Sequence, residues 1–188
     1  MNIDTNPRQK ALLILHSYVK SKSLIHHMLS VEAAMRFYAK KINSDLETWG
    51  LTGLLHDFDW EIHPNSNDHP KAGAELLKNA GISEEIISAI LTHGDDPAFP
   101  RVTDMQKHLY ACDEITGFIT AVALVRPSRS LSDLTVSSIK KKWKDKAFAA
   151  AVDRAGIEQG AAEIGIPVWE HVDNVITAMR EISKDLEL

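Results

Sequence analysis

Apolar residues recur at three- and four-residue intervals along almost the whole chain, and alternating runs of β-branched residues are few. A chain so patterned buries its apolar surface by packing helix on helix, which predicts an all-α fold, a bundle of about eight to ten helices. The periodicity places helices near 7–20, 24–41, 46–58, 69–80, 83–93, 104–124, 135–143, 145–153, 157–164 and 167–185. Ser44 with Glu47 and Thr103 with Gln106 have the spacing of reciprocal capping pairs. Ser83 is a further N-cap, followed by Glu84 and Glu85 where the helix dipole favours acid. Gly81 and Gly94 sit where helices should stop. No linker-like stretch or internal repeat divides the 188 residues, of which 44 % are hydrophobic, so one domain over 1–188 is expected.

Several function classes are disfavoured. A net charge of -5 argues against a face built for a nucleic-acid polymer. No apolar run reaches the roughly 20 residues that span a bilayer, and the first ten residues lack a signal-peptide layout. The lone cysteine, Cys112, cannot form an internal disulfide and fits a reducing compartment. The expected location is the cytoplasm.

The chemistry-bearing residues fall at informative places. The apolar run ending at Leu55 is followed directly by His56-Asp57, then by Asp59, Glu61 and His63. His27 opens a helical stripe with Val31, Ala34 and Tyr38. His69 precedes Pro70, a residue suited to a helix's first turn. His93 continues the stripe Ile86, Ile90. Asp113 interrupts a largely apolar helix, where a carboxylate is costly unless paired or metal-bound. Two readings fit these positions. In one, each histidine is a hydrogen-bonded core residue and Asp113 pairs with an arginine such as Arg126. In the other, a shared metal site accounts for all of them together.

The order His27, His56-Asp57, Asp113 resembles the H…HD…D signature of the HD-domain superfamily of metal-dependent phosphohydrolases. "HPKAGAELLKNAGISEEIISAILTH" resembles the two-histidine insertion of its HDIG-type, two-metal branch. "LLHDFDWE", "LYACDEITGFITAVALVRPSRSL" and "VSSIKKKWKDKAFAA" look like a bacterial subgroup of that branch. The resemblance covers about 20–155, with the helix at 167–185 expected to pack on that core. One departure is "HDFD" in place of His-Asp-Ile-Gly, which implies that Asp59 and Trp60 reshape the cavity rim.

The resemblance implies two divalent ions. One would be held by His27, His56, Asp57 and Asp113, and the second by Asp57, His69 and His93, with His56-Asp57 at the catalytic centre. Mixed imidazole and carboxylate ligands suit Mn, Fe, Co, Ni or Zn without choosing among them. Such ions activate water and neutralise phosphate oxygens. The implied activity is hydrolysis of a small phosphorylated molecule, a nucleotide or related phosphate ester. Alternatives are a di-iron oxygenase of the myo-inositol oxygenase type and a non-catalytic metal- or ligand-binding protein. For the substrate, Lys71 and the run containing Lys141, Lys142 and Trp143 are candidate phosphate and base contacts; the run also reads as a solvated helix face. Glu61 and Asp59 are candidate proton donors. Glu114 reads as a surface or ion-pair residue, and His16, His26, His108 and His171 as surface or core. His63 reads as solvent-facing, with approach to the metals as its alternative.

Overall fold

The computed structural model describes residues 6–65, 67–94 and 96–188. Among them are nine helices: α1 (Pro7–Tyr18), α2 (Lys22–Lys41), α3 (Leu46–Leu55), α4 (Lys71–Asn79), α5 (Glu84–Leu91), α6 (Asp104–Leu124), α7 (Val136–Trp143), α8 (Arg154–Glu163) and α9 (Val168–Glu181). No strand occurs among the described residues.

Local chemistry sets the helix ends. The Thr103 hydroxyl accepts from the Gln106 N–H while the Gln106 side chain accepts from the Thr103 N–H, a reciprocal cap that starts α6. Ser44 does not cap α3. Asp45 does, its carboxylate accepting from the N–H groups of Glu47 and Thr48. Ser83 stands at the α5 N-cap without a side-chain bond to the helix. Gly81, at φ 71, turns the chain out of α4. Gly94 has no such part, since α5 already ends at Leu91.

The helix expected over 145–153 does not form. Asp145 accepts from the N–H groups of Ala147 and Phe148 in a turn. The Arg154 guanidinium collects carbonyl oxygens of Trp143, Asp145 and Phe148, so tertiary donors take the place of helical ones there.

Two apolar clusters adjoin along α2. Met28 joins Ala11, Leu15, Leu54, Leu55, Phe58, Leu77 and Ile90 from α1, α3, α4, α5 and the turn after α3. Val31, Ala34, Met35 and Tyr38 join the large faces of α6 and α9. α3 lies tight against α2 because Gly53 has no side chain: a Cβ there would sit 2.9 Å from the backbone of Val31 and Glu32. That close approach sets the end of α3 beside the middle of α2, one turn from His27.

His171 ties α9 to this frame. Fully buried, it donates Nε2–H to the Ala111 carbonyl at 2.7 Å and accepts the Tyr38 hydroxyl proton at Nδ1, also at 2.7 Å. Burial pushes its pKa down to about 4, so the folded protein holds it neutral. The unfolded chain binds the proton more readily between pH 6.5 and 4, so the stability contributed by neutral His171 is lost as pH falls through that window. His171→Leu should cost about 1–3 kcal/mol near pH 7, because the buried Tyr38 hydroxyl proton loses its acceptor. In urea unfolding the gap between wild type and variant should narrow toward pH 4; a gap independent of pH would contradict this account.

Candidate metal centre

The six ordered His and Asp residues converge where the two apolar clusters meet. His27 comes from the second turn of α2 and Asp113 from the middle of α6. His56 and His93 follow the last turns of α3 and α5, and each uses the same local device. Its ring Nδ1–H donates to the carbonyl three residues back, Gly53 at 2.9 Å and Ile90 at 2.6 Å. Each ring is thus held by a carbonyl of the last turn of its helix, and its Nε2 faces inward. His69 lies just before α4 and donates Nδ1–H to Asp59 at 2.8 Å. His27 donates Nδ1–H to the Thr116 hydroxyl at 3.2 Å, and that hydroxyl in turn donates to the Asp113 carbonyl. All four imidazoles therefore engage Nδ1 outward and aim Nε2 at one point or its neighbour.

The Nε2 atoms form two pairs. His27 and His56 lie 3.2 Å apart, and His69 and His93 lie 3.0 Å apart. Asp113 Oδ1 sits 3.0 Å from His27 and 3.4 Å from His56. Asp57 stands between the pairs. Its Oδ1 is 3.1 Å from His69 and 3.4 Å from His93, while its Oδ2 is 3.7 Å from His27 and 3.6 Å from His56. Two donor groups result, His27 with His56 and Asp113, and Asp57 with His69 and His93.

The donor set fits metal ions on physical grounds. With Nδ1 committed outward, facing Nε2 lone pairs at about 3 Å repel unless a proton or cation lies between them. Right-angle ligands bonded to one ion at about 2.1 Å are separated by about that distance. The carboxylates make the same demand for positive charge. Burial would push the Asp57 carboxyl up, but His56, His69 and His93 outweigh it and hold it well below the usual range. Burial likewise opposes ionisation of Asp113, and His56 and His27 prevail. In return His69, despite burial, is pushed up to about 9 by Asp57 and Asp59, and His56 and His93 are raised against burial by Asp57 and Asp113. The negative ends of α3 and α5 point at the cluster and favour a cation as well.

His27, Asp57 and Asp113 keep 21 %, 17 % and 20 % of their side chains exposed, which opens the centre to a cavity of about 410 Å³. Trp60 stands at its edge, its ring edge-on to His69. Opposite runs one face of α6, where Tyr110, Asp113, Glu114 and Gly117 follow helical spacing. Glu114 belongs to this wall and not to the outer surface: it is half-buried and accepts the Asp153 N–H. Burial and the neighbouring Asp113 raise its pKa. The helical run of polar and small residues from Tyr110 to Gly117 was the sequence signal for it.

Other expected residues lie elsewhere. Asp59 is not at the rim: it is fully buried beneath α4, one oxygen on His69 and the other without a hydrogen-bond partner. It is therefore closed off from any leaving group. The Glu61 carboxylate accepts the N–H groups of Lys20 and Ser21 at the start of α2. Lys71 pairs with Asp96 at 2.8 Å. Lys142 lies over the Phe148 ring and Lys141 is exposed on α7. Trp143 packs edge-on between Phe118 and Trp169, so its faces are not offered for stacking. None of these lysines, nor Trp143, lines the cavity. His63 is also outside it. Arg126 pairs with Asp133, which removes it as a partner for Asp113.

Residues 24–114, which span all six converging residues, match the family model described as HD domain. Ribonuclease Y of Nitratidesulfovibrio vulgaris (strain DP4) is 31 % identical over 98 residues, 52 % of this chain and 18 % of that protein. Ribonuclease Y of Oleidesulfovibrio alaskensis is 26 % identical over 174 residues, 89 % of this chain and 32 % of that protein. The chain thus spans about a fifth to a third of the length of the curated relatives it matches. No solved structure matches it significantly.

The buried position of Asp59 has a direct test. A Cβ on Gly73 would lie 2.5 Å from Asp59 Cγ and 2.6 Å from its unpartnered oxygen. Gly73→Ala should therefore lower stability by about 1–2 kcal/mol, overpacking outweighing the gain in helix propensity. Denaturant unfolding measures it, and an equally or more stable variant would mean that Asp59 is not held against α4.

Proposed function

The chain belongs to the HD-domain superfamily, and from that premise we propose that it is a metal-dependent phosphohydrolase of the HDIG-type, two-metal kind, acting on a small phosphorylated molecule. The observation that carries this reading is the Asp57 carboxylate, with one oxygen toward each histidine pair. His27, His56, Asp57 and Asp113 would hold one divalent ion, and Asp57, His69 and His93 the other. When bound, such ions supply an acidified water and neutralise charge on phosphate oxygens.

The protein's own residues supply orientation. Gly53, Ile90, Thr116 and Asp59 keep each ring proton on Nδ1, which fixes the tautomer and aim of all four imidazoles. Asp59 is a positioning residue for His69. The cavity admits the substrate from the side of Trp60 and Glu114. The name of the relatives suggests RNA as a substrate, yet no Lys or Arg among the described residues lines the cavity. A polyanionic strand is bound largely by such cations, so a small phosphate ester is the better match.

Metal titration of chelator-stripped protein tests this reading. Wild type should take up two Mn²⁺ or Zn²⁺ per chain and melt at higher temperature when loaded. Asp57→Ala should lose binding at both sites, whereas His69→Ala or His93→Ala should lose one ion. Asp59→Asn should weaken one site about 10- to 100-fold and leave the other. Loaded wild type should release phosphate from phosphate esters under argon. Full metal occupancy in Asp57→Ala would overturn the centre, and turnover that requires both iron and dioxygen would replace hydrolysis by oxygenation.

A further inference from the structure

Gly117 occupies the middle of α6, the 21-residue helix that carries Asp113. Glycine there is unfavourable, since alanine stabilises a helix interior, and some local demand normally explains it. None is visible. Gly117 has helical geometry without positive φ, and a Cβ built on it meets no atom within 4 Å. It contrasts with Gly53 and Gly73, whose Cβ atoms would collide with a neighbouring helix and a buried carboxylate.

The empty space belongs to a junction. The metal-facing cavity meets a second one, of about 460 Å³, along His27, Trp60 and Gly117, which line both. Trp60 is 41 % exposed at that junction, a large indole surface with no apolar cover. Beyond it the second cavity is walled by Ser21, Ser23, Thr120 and the carboxylate of Glu61. Among the described residues, neither cavity is lined by a lysine or arginine.

We propose that Gly117 and Trp60 form a slot for the organic half of the substrate, a phosphate monoester of a flat, hydroxyl-bearing alcohol, the chemistry of a nucleoside monophosphate. The inference rests on the phosphohydrolase reading above. One phosphate is held at the histidine-carboxylate centre. The flat ring passes over the bare backbone of Gly117 against Trp60, and its donors meet Glu61 and the Ser and Thr hydroxyls. Additional phosphates would find no cationic side chain in either cavity and would face Glu114, Asp153 or Glu61. The slot therefore selects a monophosphate over a triphosphate or an oligoribonucleotide.

The test uses Mn²⁺-loaded protein, with AMP, ATP, an oligoribonucleotide and inorganic phosphate as probes. Metal-free Gly117→Ala should melt at a higher temperature than wild type, because helix propensity is gained with nothing displaced. Gly117→Leu fills the slot and should raise KM for AMP about tenfold or more, the scale of one lost base–aromatic contact, with a smaller change in kcat. Trp60→Ala should act in the same direction. Metal stoichiometry and competitive inhibition by inorganic phosphate should persist in all three. A lowered melting temperature in Gly117→Ala, an unchanged KM in Gly117→Leu, or preference of wild type for ATP or the oligoribonucleotide would each overturn the slot while leaving the hydrolase reading standing. Loaded wild type that neither binds inorganic phosphate nor hydrolyses any probe would remove the hydrolase reading, and the slot with it.

Discussion

The carboxylate of Asp57, set between two imidazole pairs, is the interaction on which the rest of the structure turns. A carboxylate, a second carboxylate at Asp113 and four histidines are drawn into the seam between two apolar clusters, where unpaired charge is costly. They are tolerated because both oxygens of Asp57 and Oδ1 of Asp113 face imidazole nitrogen, and each imidazole Nδ1 proton has an acceptor behind it. The fold serves that arrangement at several points. Gly53 lets α3 approach α2 closely enough to bring His56 to His27. Gly73 leaves room under α4 for Asp59, which steers His69. Helix ends at α3 and α5 present His56 and His93 with their Nδ1 protons already engaged.

A second consequence concerns charge. The centre gathers carboxylates, yet the cavities beside it hold no lysine or arginine among the described residues. On the proposed hydrolase reading, positive charge for an anionic substrate would come from the centre itself, which would tie phosphate binding to cation occupancy. On the same reading, the scarcity would limit how much negative charge a substrate could carry away from the centre. Trp60, Glu114 and the bare face of α6 at Gly117 offer shape, π-surface and hydrogen-bond acceptors in its place.

Much of this was legible in the amino-acid order, and the reasons are physical. Periodicity fixes helix existence well, so the α6 boundaries agree at both ends, capped by Thr103 and Gln106 as expected. The positions of His27, His56-Asp57, His69, His93 and Asp113 on apolar stripes or at helix ends left ordinary core residues and a shared metal site both open, and it was the resemblance to the H…HD…D signature that joined them into one set. What depended on tertiary geometry was not legible. Asp59 reads as a rim residue, because nothing local says that His69 bonds it and that Gly73 of α4 covers it. Lys141, Lys142 and Trp143 read as substrate contacts by their charge and ring, whereas Trp143 is packed between Phe118 and Trp169 and none of the three lines the cavity. The segment after α7 has helical spacing, but Arg154 supplies its carbonyls with donors from outside. Glu114 reads as a surface or ion-pair residue because the neighbouring loop that gives it Asp153 is distant in sequence.

The proposed bridging role of Asp57 is tested most directly by anomalous diffraction from crystals of Mn²⁺- or Zn²⁺-loaded protein, recorded at the metal's absorption edge. Two anomalous peaks should flank the Asp57 carboxylate, one beside His27, His56 and Asp113 and the other beside His69 and His93. A single peak at saturating metal, or two peaks with Asp57 bonded to neither or to only one, would contradict the account.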